Sequence, residues 1–141
     1  MSAASGAKPF PRHLWWLVVL YSVASLVHFS HNAEFIAFYP NMPPGISRET
    51  VYLAWLGLAA VGLASGMLWM LKWRRLAACV LALYGALGLD GFAHYTLALC
   101  SDHTLAMNLT IWVEALLGVS LAGVSLWHMG GARSKGWRAD V

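Results

Sequence analysis

Four long apolar blocks dominate the chain, running Leu14–Phe38, Val51–Leu71, Leu76–Leu99 and Thr104–Trp127. Crossing the hydrocarbon core of a bilayer takes about 20 helical residues, and each block is long enough. Lipid offers no partner for backbone N–H and C=O groups, so spanning segments must be helices or closed barrels. Barrel strands would be about half as long and would alternate in polarity. The expected fold is all-α: one integral membrane domain over residues 1–141, an up-down four-helix bundle. Composition agrees, since 60% of residues are hydrophobic and 11% are charged, against about 25% in a soluble domain. A disordered chain would show the opposite balance.

Local chemistry sets the breaks. Pro40, Pro43 and Pro44 each lack an N–H and cannot continue a helix. Ser47 is the expected N-cap of the second helix, with Thr50 the alternative, and Ser101 or Asp102 that of the fourth. Lys72-Trp73-Arg74-Arg75 forms a basic turn. Eight basic residues (Lys8, Arg12, Lys72, Arg74, Arg75, Arg133, Lys135, Arg138) fall on one side of the four-span topology, and only Arg48 falls on the other. Positive charge marks the cytoplasmic face, so both termini are expected there, in a bacterial inner membrane. Trp15, Trp16, Trp69, Trp73 and Trp127 then mark the inner interface, with Tyr39 and Tyr52 at the outer one. The first block continues well past its small residues, which reads as an uncleaved span rather than a signal peptide.

The net charge of +3 does not point to nucleic acid, because the basic residues lie between or outside the apolar blocks. The lipid bilayer is the expected partner, with a homo-oligomer or a larger membrane complex open. Gly62-x-x-x-Gly66 suits either the bundle or a dimer. Cys79 and Cys100 are separated by roughly 31 Å along one span and should not pair. Asn108-Leu109-Thr110 matches a glycosylation sequon, but its place within a span makes that accidental.

Six ionisable residues interrupt the apolar blocks: His28, His31, Glu34, Asp90, His94 and Glu114. Each charge near the bilayer centre costs at least about 2.5 kcal/mol, so such residues normally face the bundle interior and serve a function. At a rise of about 1.5 Å per residue, all six fall in the outer half of the membrane. His28, His31 and Glu34 follow an i, i+3, i+6 spacing, and Asp90 and His94 are i, i+4. Three carboxylates and three imidazoles in low dielectric need compensation, from shared protons or from a metal cation.

The expected centre is a transition-metal site for Fe, Cu, Zn or Mn, with His28, His31, Asp90 and His94 as first ligands. Glu34 and Glu114 would be further ligands, acceptors for imidazole N–H groups, or proton carriers. Asn108 is the expected hydrogen-bond partner, and Asp102 and His103 an entry gate above the site. Met42 and Met107 are soft donors should the metal be Cu(I). His13 and His128 lie at the inner interface, solvated or snorkelling. The leading function is a membrane metal protein, either a metal-dependent oxidoreductase or a metal-handling factor. The alternatives are a b-type haem or quinone protein, with His28 or His31 facing His94, and a metal-free proton relay or small-ligand pocket. A purely structural subunit would not need six such residues. No phosphate loop, Ser-His-Asp order or C-x-x-C pair appears.

Overall fold

The structure, a computed structural model, describes residues 10–136, with side chains described through Met129. Lys8 and Arg138 of the basic tally lie outside the described residues, as do the side chains of Arg133 and Lys135. The helices are α1 (Arg12–Glu34), α2 (Arg48–Met70), α3 (Arg74–Ala86), α4 (His94–Leu97) and α5 (Leu105–Gly136). A 3₁₀ segment, Leu87–Ala93, joins α3 directly to α4. These elements make four helical stretches long and apolar enough to cross a membrane: Arg12–Glu34, Arg48–Met70, Arg74–Leu97 and Leu105–Met129. Leu20, Val27, Leu53, Leu63, Leu83, Leu116 and Val119 are exposed on their outer faces, a surface suited to lipid.

The helices close into a ring. α1 packs on α2 and α5, and α3 packs on the same two neighbours. Leu14, Tyr21, Leu58, Leu81, Tyr84 and Leu121 fill the middle, with the Tyr21 and Tyr84 rings edge to face at 4.7 Å. Small residues let the backbones approach: a Cβ on Gly62 would sit 2.9 Å from the Tyr84 ring. Gly62 therefore serves the α2–α3 contact, while Gly66 has open space around it. Both cysteines are free.

Several boundaries depart from the sequence reading. α1 stops at Glu34 rather than Phe38, because Phe35 leaves helical geometry and a 3₁₀ turn covers Ile36–Phe38. Ser47 does cap α2, accepting from the Thr50 N–H while the Thr50 hydroxyl accepts from the Ser47 N–H. α5 begins after Thr104, whose hydroxyl accepts from the Met107 N–H at 3.3 Å, so the cap is neither Ser101 nor Asp102. Tyr39 is no interface anchor, for it is buried against the rings of His31 and His94. At the end of the bundle where α1 begins, His13 and His128 lie at the surface and meet each other, their Nε2 atoms 2.7 Å apart.

The third span contains the main irregularity. Seven residues of 3₁₀ helix are long for this geometry, which rarely exceeds 3–4. With three residues per turn, Gly88, Gly91 and His94 fall in one row, and all three are buried. Gly88 faces Tyr21, where a Cβ would come within 2.7 Å of the ring. Gly91 faces His28, where a Cβ would sit 3.4 Å from Nε2. The absent side chains let the third span pack on α5 and leave room for the Tyr21 and His28 rings of α1, and the row delivers His94 into the interior.

Candidate functional site

α1 carries one inward polar face. Tyr21, Ser25, His28 and Asn32 are spaced i, i+4, i+7, i+11, and each is buried. His28 is 2% exposed. Its Nδ1 lies 3.3 Å from the Thr110 hydroxyl on α5, whose own proton goes to the Met107 carbonyl. A hydroxyl has one proton to donate, so Thr110 accepts and His28 Nδ1 carries the hydrogen. His28 Nε2 then faces Glu114 Oε2 at 3.7 Å. Glu114 is wholly buried, and neither carboxyl oxygen has a hydrogen-bond partner among the described residues. His28 and the Ser25 hydroxyl are the polar side chains that reach this carboxyl, and His28 and Glu114 work as a unit: imidazolium with carboxylate, or imidazole with carboxylic acid.

One turn outward, Asn32 Nδ2 donates to His94 Nε2 at 3.1 Å. The same amide's Oδ1 is buried without a partner among the described residues. The His94 ring packs at 5.9 Å from His28, 4.7 Å from Tyr39 and 6.1 Å from His103. Burial pushes the Tyr39 phenol up to about 12, so it stays protonated and donates to His31 Nδ1 at 2.9 Å. Asn41, in left-handed geometry, ties the loop above the site to α4 through the Leu97 carbonyl at 2.9 Å.

Beside the Asn32–His94 pair lies a cavity of about 490 Å³ between α1, α2 and the C-terminal part of the third span. Phe29, Val51, Ala54, Ala93 and Leu97 form apolar walls, and Met42, Pro43 and Ile46 contribute from the first loop. Asn32, His94, Thr50 and Thr96 supply the polar lining.

The expected site residues divide accordingly. His28, His94 and Glu114 come together, and His103 joins them as a buried ring beside His94. His31 stands at the edge, bound to Tyr39. Glu34 is outside the cluster: it is exposed and accepts from Arg48 at 2.6 Å and Tyr52 at 2.8 Å, joining the end of α1 to the start of α2. Asp90 is exposed on the third span, away from the row that carries His94. Asn108 and Asp102 organise the third loop. Asn108 accepts from Tyr95 and donates to the Cys100 carbonyl, and Asp102 accepts from the Leu99 N–H. Met107 is buried packing.

No three His, Cys, Asp or Glu side chains converge in a geometry that would hold a metal ion, among the described residues. One nitrogen of each ring is held, His28 Nδ1 by Thr110, His94 Nε2 by Asn32, His31 Nδ1 by Tyr39 and His103 Nδ1 by the Leu99 carbonyl, and the second nitrogens do not converge on one point with a further Asp, Glu or Cys among the described residues. The sequence reading missed Asn32, Tyr39 and Thr110, which are uncharged. The 3.6-residue spacing of polar side chains on α1 was the signal for Asn32. Comparison with known proteins adds no analogue: no family model, no curated protein and no solved structure matches this chain.

Proposed function

We propose that this chain is a small inner-membrane protein, with both termini cytoplasmic, that binds an amphipathic small molecule in the outer half of its bundle. The same site exchanges a proton with that molecule through His94, His28 and Glu114. The observation that carries this reading is the cavity itself: apolar walls, one end closed by a buried Asn32–His94 pair, and an amide oxygen still free to accept. Apolar pockets with a few placed polar groups are the usual form of a small-molecule site. The buried His28–Glu114 pair stands behind His94 and holds a titratable proton within the low-dielectric interior.

The test uses N-dansyl-5-aminopentanol as a hydroxyl-bearing apolar probe. Saturable fluorescence enhancement at one probe per chain is expected in detergent. Ala93→Trp should fill the cavity and abolish saturation, and Asn32→Leu should weaken binding by about fivefold or more, the scale of one hydrogen bond. Enhancement that grows linearly, as in empty micelles, would refute the reading.

A metal centre is the second reading. The observation that favours it is the run of imidazoles from His28 through His94 to His103, with ring centres 5.9 and 6.1 Å apart. Metal binding would require the second nitrogens of these rings to turn toward a common point, and the present hydrogen bonds at the first nitrogens could then orient the ligands. Metal content with an optical spectrum on detergent-purified protein decides it. Stoichiometric Fe, Cu, Zn or Mn without a Soret band is the result this reading expects, and a Soret band would indicate haem.

A further inference from the structure

Asp90 has no role in the cluster, yet its position is hard to explain as packing. It sits within the third span, is exposed, and accepts from the backbone N–H groups of Gly91 and of Asp90 itself, but forms no hydrogen bond or ion pair with another side chain among the described residues. In the 3₁₀ segment, residues three apart share a row, so Asp90 lies directly inward of Ala93, about 6 Å along the axis. Ala93 lines the cavity. The row Asp90–Ala93–Thr96 therefore continues the cavity wall toward the membrane centre, with a carboxylate at its foot. The opposite row, Gly88–Gly91–His94, is the one that faces the Tyr21 and His28 rings of α1.

Charge balance sharpens the point. Asp90 and Glu114 place two carboxyl groups near this end of the bundle. Glu114 and Tyr21 are the titratable groups whose fields reach Asp90, and neither supplies positive charge. Arg48, the basic side chain at the outer end, is committed to Glu34. A carboxylate one turn below the wall of an apolar cavity, with no basic side chain paired to it among the described residues, selects a cation.

We infer that the cavity's ligand is an amphipathic organic cation, a protonated amine on an apolar body, with Asp90 as its counter-ion and Asn32 Oδ1 as a second acceptor. The inference rests on the ligand-cavity reading above, and the experiment separates the two. N-dansyl-1,5-diaminopentane and N-dansyl-5-aminopentanol differ only in the terminal ammonium and hydroxyl. The amine should bind wild-type protein about tenfold tighter or more, as a charge-assisted contact implies. Asp90→Asn should remove that preference and leave the alcohol's affinity unchanged, while Asp90→Glu should retain it. Equal binding of amine and alcohol to wild type would overturn the inference and leave the cavity reading standing. Saturable binding of neither would overturn both. A preference that survives in Asp90→Asn, together with a smaller particle on size-exclusion chromatography, would assign Asp90 to a contact between chains.

Discussion

Gly118→Leu should prevent the bundle from forming. A Cβ at this position meets the Gly85 carbonyl oxygen of α3 and comes within 3.2 Å of the Tyr21 ring. The relation is reciprocal: a Cβ on Gly85 would sit 2.5 Å from the Gly118 carbonyl oxygen and 2.8 Å from the Ala122 nitrogen. These are backbone atoms, which cannot turn aside as a side chain can. Adding a leucine side chain forces α3 and α5 apart along their closest crossing, where small residues let two backbones touch. Overpacking usually costs about 1–3 kcal/mol, and a backbone clash falls at or beyond the top of that range. The expected readout is an aggregated size-exclusion profile, or a thermal midpoint lowered by well over 5 °C. Gly123→Leu is the control, since nothing lies within 4 Å of a Cβ there. It should change stability by less than about 0.5 kcal/mol. A wild-type melt for Gly118→Leu would mean that this crossing does not hold the third and fourth spans together.

The four spans were legible because length and hydropathy are direct consequences of the bilayer. The angular arrangement of the site was only partly so. At 3.6 residues per turn, Glu34 is rotated about 120° from His28, whereas Asn32 is rotated about 40°. An i, i+3, i+6 series thus drifts around the helix, and Glu34 faces Arg48 and Tyr52 instead of the interior. Asn32, uncharged, occupies the face that Glu34 was expected to share. Asp90 and His94 illustrate the second limit. An i, i+4 pair shares a face of an α-helix, but the 3₁₀ segment rotates about 120° per residue and puts Asp90 in a different row. The glycines that permit the change are visible in the sequence, but the closeness of Tyr21 and His28 that exploits them is a tertiary fact.

The His28–Glu114 pair provides a test of whether the buried polar cluster exists for stability or for chemistry. His28→Leu alone should destabilise the protein by about 3 kcal/mol or more, because it leaves the fully buried Glu114 carboxyl without its ion-pair partner. Glu114→Leu alone should cost less, since His28 keeps Thr110 and can remain neutral. The double variant should be more stable than the sum of the two losses, with a coupling of about 1–3 kcal/mol, because no unpaired group then remains. Apolar replacements of buried ion pairs are frequently neutral or stabilising once both partners are gone. Thermal midpoints of the four proteins in one detergent give the coupling directly. A double variant that folds as well as wild type, yet loses pH-dependent binding of the dansyl probes, would identify the pair as retained for proton exchange. Additive losses would instead show that His28 and Glu114 do not interact, and would remove the pair from the proposed mechanism.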